Sequence, residues 1–348
     1  MIDRNGLTCK LPRTDRLLYH KHMLTNYKPV LIYSWLLLLT PFSSHASTPE
    51  ILVSIKPLHS LVSNITQGIT TPQLLLNKQA SAHNFQLKPS QKRKLSKADL
   101  FIYSSNNIES FVEKLEQSKN KTQFIQLSQL SDIEKLPNRG FSHHHNHAHE
   151  TSHSDKNKQQ GDAVDGHNVD GHIWLSIDNA KLISRQLTEL LIELDPAHKN
   201  IYQKNLRVFT LELDKTKDMN SLLLKPIQHK AFLVYHDAYQ YFEHENELTN
   251  AMFVTSSPEV KPGIKRVRQL KKLIRDENIQ CIFYEPPNVP PLLKTLTEDH
   301  SAKLVPLDPI GSQLKAGTGH YVKLMRQTAS KVHGCLNSTN GKPENATT

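Results

Sequence analysis

The sequence Gly171-His172-Ile173-Trp174-Leu175-Ser176 lies between a long polar segment and the most regular helical pattern of the chain. It also separates two regions of the chain. In each region, short apolar runs alternate with segments whose apolar residues have helical spacing. His172 stands at this junction, and two other histidines, His83 and His236, likewise end apolar runs with an aromatic residue close by. Three such histidines, far apart in sequence, could supply three imidazole nitrogens to one metal ion. We therefore predict a buried three-histidine metal site.

The alternation on each side of this stretch predicts the fold. Before it, we expect strands at 50–55, 72–76, 99–105 and 122–127, and helices at 58–70, 91–98 (with Ser90 as N-cap) and 108–117. After it, we expect strands at 230–235, 251–255, 280–285 and 302–308, and helices at 238–243, 262–275, 290–299 and 320–336. Alternating strands and helices predict an α/β fold with mainly parallel sheets. Ligands of open α/β sheets lie off the carboxyl ends of strands, which is where His83, His236, Glu285 and Asp308 fall.

Two helices without a strand between them separate the two alternating regions. The first, at 179–194, has a clear apolar stripe and Asp178 as a candidate cap. The second can run from 197 to 224 without Gly or Pro, about 40 Å at 1.5 Å per residue, and Pro226 ends it. It is typical of a strut between domains. We therefore expect an N-terminal (β/α) lobe at 47–177, linking helices at 178–226, a C-terminal (β/α) lobe at 227–340 and a disordered tail at 341–348.

The polar segment at about 132–171 has no apolar periodicity and is rich in histidine. Such a segment cannot bury enough apolar surface to fold alone, so we expect a disordered loop. Its neutral imidazoles favour a low-affinity, accessory role in collecting metal; the alternative is a solubilising insertion with no role. The histidines concerned are His143, His144, His145, His147, His149, His153 and His167.

The N-terminus predicts export. Lys28, the apolar run 30–39 and Ser44-His45-Ala46 have the order of a secretory signal peptide cleaved after Ala46, and the run is too short to span a bilayer. Met23 is a plausible true start, which makes the earlier residues an over-extended reading frame. No Cys follows the run, so we expect a periplasmic protein without a lipid anchor or a membrane span after cleavage.

Charge and cysteine content narrow the function class. The formal net charge of +10 falls to about +6 without residues 1–46, and no basic stripe is interleaved with aromatics, so nucleic acid binding is not favoured. Cys281 and Cys335 form an even pair in an oxidising compartment. A disulfide is favoured, and two buried thiols are the alternative.

Three imidazoles suit zinc in tetrahedral geometry, whereas oxygen-rich sites suit manganese. Three protein ligands plus water also describe a catalytic zinc site, so a zinc-dependent hydrolase is an alternative. It is less favoured because no carboxylate is obviously placed as a general base.

Six short motifs carry a resemblance to a known family. They are Ser54-Ile55-Lys56-Pro57, Ala82-His83-Asn84-Phe85, His172-Ile173-Trp174-Leu175-Ser176, His236-Asp237-Ala238-Tyr239, Phe283-Tyr284-Glu285-Pro286 and Leu307-Asp308-Pro309-Ile310-Gly311. In this order, over about residues 50–336, they resemble the periplasmic zinc-binding proteins of Znu-type ABC importers. The resemblance implies two (β/α) lobes joined by one rigid helix, zinc in the cleft between them, and a disulfide between the terminal cysteines.

The resemblance also implies functions for individual residues. The zinc ligands would be His83, His172 and His236, with Asp237 and Glu285 as candidates to orient them. The family often has Glu before the first histidine, but this chain has Ala82, so we expect water as the fourth ligand and keep Asp308 as a candidate.

Zinc would then be the transported ligand of a monomeric, non-enzymatic carrier, and the permease of a zinc ABC importer its partner. Alternatives within the same fold are a manganese or iron carrier and a surface adhesin.

Overall fold

The computed structural model describes residues 48–77, 82–116, 121–139 and 169–338. All of these residues belong to one compact unit. The predicted signal peptide, most of the histidine-rich segment and the tail lie outside the described residues. No described helix combines the length and apolar character that crossing a bilayer requires.

The first four strands form one parallel sheet in the order β2-β1-β3-β4. In chain order its elements are β1 (Ile51–Val53), α1 (Lys56–Ile65), β2 (Gln73–Leu74), α2 (Pro89–Leu95), β3 (Leu100–Tyr103), α3 (Glu113–Glu116) and β4 (Gln123–Gln126). Both central strands are fully buried, as expected where helices and loops cover both faces of a parallel sheet.

The last four strands repeat this arrangement in the order β6-β5-β7-β8, again all parallel. Their elements are β5 (Phe232–His236), α6 (Gln240–Glu245), β6 (Ala251–Thr255), α7 (Ile264–Asp276), β7 (Cys281–Tyr284), α8 (Pro291–Thr297), β8 (Lys303–Pro306) and α9 (His320–Asn337). The predicted α/β fold with two parallel sheets is confirmed.

Side chains of the C-terminal sheet divide between two cores with the period of two expected for strands. Leu233 and Ile282 point to a cluster completed by α7 and α8. Phe232, Val234 and Phe283 point the other way, into a larger core that also contains residues of the first sheet. One continuous apolar core therefore extends through both lobes.

Two helices link the sheets, α4 (Ile177–Leu194) and the 26-residue α5 (Lys199–Leu224), with a 3-10 turn at Pro196–His198 between them. At 1.5 Å per residue α5 is about 39 Å long. It packs against α1, α4 and α9, so elements from both halves of the chain meet on it. The predicted long helix is therefore present.

Hydrogen bonds also join the halves. Lys56 Nζ donates to the carbonyls of Ser312 (2.5 Å) and Leu314 (3.0 Å). The indole N–H of Trp174 donates to the Pro309 carbonyl at 2.9 Å. All three acceptors lie in the segment after β8, so this segment bonds to the N-terminal half of the molecule.

A disulfide joins Cys281 at the start of β7 to Cys335 in α9, with the two Cα atoms 6.2 Å apart. Both residues are buried. The predicted bridge is confirmed, and it fastens the last helix to the C-terminal sheet.

Local details differ from the expectations at helix starts. Ser90 is not the N-cap of α2, because Pro89 is already helical and the Gln91 side chain accepts from the Lys88 N–H at 2.9 Å. Asp178 lies in the first turn of α4, whose N-cap is Ser176, accepting from the Asn179 N–H at 3.1 Å. Where a helix at 108–117 was expected, only α3 is regular.

Candidate metal centre

His83, His172 and His236 come together at the carboxyl ends of the two sheets. Each offers one ring nitrogen, and these three nitrogens lie within 4.8 Å of one another. The ring centroids are 5.6 Å apart for His83 and His172, 5.2 Å for His83 and His236, and 5.0 Å for His172 and His236. Among the described residues this is the one group of three or more such side chains with the proximity that a metal ion needs.

His172 is held by the side chain of Asp170, two residues earlier in the chain. It is buried, and its Nδ1 lies 2.7 Å from Oδ1 of Asp170, which also accepts from the His172 backbone N–H at 3.0 Å. Nδ1 therefore carries the proton, and Nε2 is left as the ligand atom. A 3-10 turn at Ile173–Leu175 follows and leads into α4.

Gly171 allows this arrangement because the chain passes very close to the end of β3. A Cβ at this position would lie 2.2 Å from Ser105 Oγ and 2.6 Å from Ile108 Cγ1. The Gly171 carbonyl accepts from Ser104 Oγ at 2.6 Å. The end of β3 therefore fixes the position of the residue that precedes His172.

The buried carboxylate of Glu109 fixes the ends of β1 and β3. It accepts from Ser54 Oγ at 2.5 Å, from the Ser104 N–H at 3.2 Å and from the Ser105 N–H at 3.1 Å. Burial raises the pKa of Glu109 to about 7 despite these three donors. The same bonds explain why the chain turns here instead of starting the helix expected at 108.

His236 is the last residue of β5 and is buried. Its Nδ1 lies 2.6 Å from Oε1 of Glu285. Glu285 directly follows β7, the strand that pairs with β5. Its Nε2 is buried and has no hydrogen-bond partner among the described residues. A buried polar atom of this kind is costly without a partner, and a metal ion at the centre of the three histidines would supply one.

His83 is held differently. It lies half-buried in a turn before α2, and its backbone carbonyl accepts from Ser110 Oγ at 3.0 Å. Among the described residues, no hydrogen bond reaches its ring. Burial, and then the nearby His172 and His236, lower the pKa of His83 to about 4, so its imidazole stays neutral and able to bind a metal at physiological pH.

The carboxylate of Glu285 reverses the effect of burial at His236. Burial alone acts to lower the pKa of His236, but the charge and hydrogen bond of Glu285 outweigh it, and the pKa is raised. Reciprocally, burial acts to raise the pKa of Glu285, but His236 outweighs it and the pKa is lowered. The pair therefore favours a charged carboxylate beside an imidazole that holds its Nδ1 proton.

A cavity of about 330 Å³ opens beside the histidines, with residues of both sheets in its lining. His83 and His172 line one part of it, and Asp237, Ser256 and Ser257 from the C-terminal lobe line another. A solvated ion therefore has room beside His83 and His172.

Two of the carboxylates singled out from the sequence have other partners. Asp237 pairs with the Arg139 guanidinium, which also donates to Glu243 at 2.6 Å, so Asp237 does not orient a histidine. Asp308 accepts from the backbone N–H groups of Ile310, Gly311 and Ser312 at 2.6–3.0 Å. It is outside the three-histidine group, because it holds its own loop.

Sequence reasoning missed Asp170, the partner of His172. The signal available was its position two residues before a predicted ligand, but we had placed it in the segment predicted to be disordered. The ends of that segment are in fact packed: Ile133 and Val169 are buried, and Pro137 and Val169 form an antiparallel bridge.

The Tyr241 hydroxyl reinforces this bridge. It donates to the Asp170 carbonyl at 2.9 Å and accepts from the Leu136 N–H at 3.0 Å. The Asp170 N–H in turn donates to the Leu136 carbonyl at 2.9 Å. The seven histidines between 143 and 167 lie outside the described residues, so their collecting role stays a prediction.

Comparison with known proteins identifies the family. The family model described as "ZnuA: Zinc-uptake complex component A periplasmic" matches residues 51–335. The High-affinity zinc uptake system protein ZnuA of Brucella abortus is 33% identical over 304 residues, covering 82% of this chain and 91% of that protein. The Yersinia pestis protein of the same name is 30% identical, covering 89% of this chain and 97% of that protein.

Solved structures share the fold. The laminin-binding adhesin Lmb of Streptococcus agalactiae, in a mutant structure, has a TM-score of 0.68 at 18% identity, covering 83% of this chain and 99% of that one. The Zn(II)-bound ZnuA-like domain of Streptococcus pneumoniae AdcA has a TM-score of 0.63 at 19% identity, with the same coverage. The family match over most of the chain, together with the identity to ZnuA proteins, shows that this chain belongs to the ZnuA family of periplasmic zinc-uptake components.

Proposed function

We propose that the chain captures Zn²⁺ in the periplasm through His83, His172 and His236 and delivers it to the membrane permease of a zinc ABC importer. The observation that carries this proposal is the convergence of three imidazoles whose ligand nitrogens lie within 4.8 Å, with the His236 Nε2 buried and unpaired. Family membership supports transport of zinc as the function of that site.

The donor chemistry favours zinc over manganese or iron. Neutral imidazoles are typical zinc ligands, whereas hard oxygen ligands are typical of manganese sites. Tetrahedral zinc bound at about 2.0–2.1 Å from each nitrogen would hold the nitrogens about 3.3 Å apart. The rings therefore have to approach by at most about 1.5 Å, which small ring rotations and a shift of the His83 turn can supply.

Water is the fourth ligand in this proposal. Ala82 has no donor group, and the Asp308 carboxylate is occupied by its own loop. The cavity beside the histidines leaves room for a bound water. The carboxylates of Asp170 and Glu285 balance the two positive charges of the ion while orienting His172 and His236 through Nδ1.

The hydrolase alternative is not favoured by family membership. One sequence motif does bear on it: His149-Glu150-Thr151-Ser152-His153 matches the His-Glu-x-x-His spacing of zinc proteases. That motif needs a helix to place both histidines on one face, and here it lies within the low-complexity segment, outside the described residues. We interpret these histidines as part of the accessory collecting segment.

A competitive zinc titration of the protein from Ser47 onward, with and without residues 140–168, tests the proposal. We expect one tight site that survives the deletion, is lost in the His172→Ala and His236→Ala variants, and is accompanied by weaker sites only when residues 140–168 are present. Loss of the tight site on deletion would place zinc in the histidine-rich segment and contradict the assignment of the three histidines.

A further inference from the structure

Two helices at equivalent places in the two lobes carry dense positive charge. α2 follows β2, the edge strand of the first sheet, and α7 follows β6, the edge strand of the second. Residues 88–97 contain five basic residues and no acidic one, and residues 261–275 contain seven basic residues and no acidic one. The two lobes therefore repeat a basic helix at the same topological position.

The charges on α7 form a stripe on its solvent-exposed side. Lys265, Arg268, Lys272 and Arg275 are all exposed and recur at intervals of three and four residues, which places them on one face of α7; exposed Lys261 lies just before the helix. Lys272 pairs with Asp276 at 2.5 Å. The other four form no ion pair with any described residue.

On α7, Lys271 also pairs with Glu298 and Asp299. The charges on and beside α2 have no such partners. Lys88, Lys92, Arg93, Lys94 and Lys97 are exposed, and none of them forms an ion pair within the described parts of the chain. A solvated surface normally mixes both signs of charge. Two stripes of a single sign therefore need an explanation beyond solubility.

Both helices begin at loops that meet at the metal cavity. His83 lies in the turn that leads into α2, and Ser256 and Ser257 lie in the loop that leads into α7; all three line the same cavity. Val260 and Ile264, at the α7 end of that loop, are 48% and 75% exposed. Basic stripes and two exposed apolar side chains thus adjoin the entrance from both lobes.

The cargo does not explain this surface. Zn²⁺ is itself a cation, so a positive rim opposes its approach. The acidic groups that attract it include Asp170 and Glu285 inside the site and exposed Glu259 in the loop before α7, so the positive charge is not there for the ion. A negative macromolecular surface is the partner that such a rim favours, because complementary charge speeds encounter and fixes orientation.

We propose that the face carrying α2 and α7 is the surface with which this protein docks on an acidic periplasmic face of the membrane protein that receives the zinc. The proposal rests on the proposed function. A partner that contacts both stripes would lie over the entrance of the cavity, and Val260 and Ile264 would supply apolar contacts next to the charges. Because both lobes carry positive charge, the partner can also recognise the position of one lobe relative to the other.

Charge-reversal variants test this surface. One variant carries Lys92→Glu, Arg93→Glu and Lys94→Glu on α2, and a second carries Lys261→Glu just before α7 together with Lys265→Glu and Arg268→Glu on it. The matched control carries Lys199→Glu, Lys204→Glu and Arg207→Glu on α5, where these three side chains are likewise exposed and form no described ion pair. Each is purified for zinc titration and expressed in cells that lack the chromosomal copy, for radioactive zinc uptake at limiting zinc.

We expect the α2 and α7 variants to keep zinc affinity within about twofold and to lose about tenfold or more in uptake, and the control to change neither. Uptake by the α2 and α7 variants at the level of the control would overturn the proposal. Failure of the proposed function looks different: the wild-type protein would lack a tight zinc site, or His236→Ala would support normal uptake.

Vesicle binding separates a protein partner from a lipid one. The wild-type protein is sedimented with vesicles of phosphatidylethanolamine and phosphatidylglycerol, and the charge-reversal variants are compared. Absence of binding supports the acidic protein face. Binding that is lost in the α2 and α7 variants would assign the stripes to anionic lipid headgroups and overturn the proposal of a protein partner.

Discussion

His172 and His236 are buried, and each has a carboxylate 2.6–2.7 Å from its Nδ1. His83 is half-buried in a turn between β2 and α2, and no described group bonds to its ring. Two of the proposed ligands are thus oriented by carboxylates, whereas the ring of the third has no described partner. From this difference we infer that the two oriented histidines receive the ion first and that His83 completes the site.

Removal of the ligands should show this difference most strongly. We expect His172→Ala and His236→Ala each to weaken zinc binding by about 100-fold or more, if a ligand contributes roughly 3 kcal/mol of a total near 12. His83→Ala should cost less, because ordering of its turn no longer opposes binding. Competitive titration measures the three values, with exposed His229→Ala as the control. Equal losses for all three would mean that His83 is as fixed as the others.

Removal of the carboxylates that bond to His172 and His236 should have the next largest effect on zinc affinity. Asp170→Asn and Glu285→Gln keep the shape and an acceptor for Nδ1–H but remove the charge, and we expect about 10- to 100-fold weaker zinc binding. Glu298→Gln, a change at an exposed carboxylate outside the site, serves as the control. Unchanged affinity in both site variants would show that the carboxylates only fill space.

The pH dependence of zinc binding should separate the same two classes of histidine. The pKa of His236 is raised, so protons compete with zinc there already above pH 6.5, and affinity should fall about tenfold per unit below that pKa. The pKa of His83 is about 4, so its protonation adds to the loss only near that pH.

Glu285→Gln sharpens this test. Without the carboxylate, burial should lower the pKa of His236, and the onset of the loss should move to lower pH. Dissociation constants measured from pH 8 to pH 5 for both proteins check this. A constant value over that range, or an onset that Glu285→Gln leaves in place, would contradict the assigned part of His236.

The smallest expected effect is on overall shape. One apolar core runs through both lobes, and Lys56 and Trp174 bond directly to the segment after β8. We therefore expect zinc to order the His83 turn without moving the lobes, so that solution scattering profiles with and without zinc superimpose. Hydrogen exchange should slow near His83 on zinc addition. A change in radius of gyration would indicate a hinge that these contacts do not allow.

Much of this architecture could be predicted from the sequence, because apolar periodicity and the Gly- and Pro-free run at 197–224 determine elements and their order. Two of the three histidines also stand at the edges of apolar runs, since His236 ends one and His172 directly precedes another. Partners of side chains were less predictable. Asp237 was a candidate to orient a histidine, yet Arg139, 98 residues away, binds it. The apolar periodicity of a sequence contains no information about such a long-range ion pair.

Helix starts were the other weak point. Ser90 is a residue that caps favour, but Pro89 fits the first helical turn and the helix starts earlier. Residues 132–139 and 169–171 look polar in sequence, but Tyr241 supplies bonds that a local pattern does not contain. In both cases a competing interaction outweighed the propensity.

The bridge between Pro137 and Val169 has a practical consequence. Because the chain leaves and re-enters the fold at adjacent points that Tyr241 clamps together, the number of residues between them is uncoupled from the geometry of the zinc ligands. That makes the interval a natural point for grafting: a fluorescent protein or a different peptide inserted there would sit beside the zinc cavity without altering its frame. Such an insertion would label the protein next to its candidate metal centre.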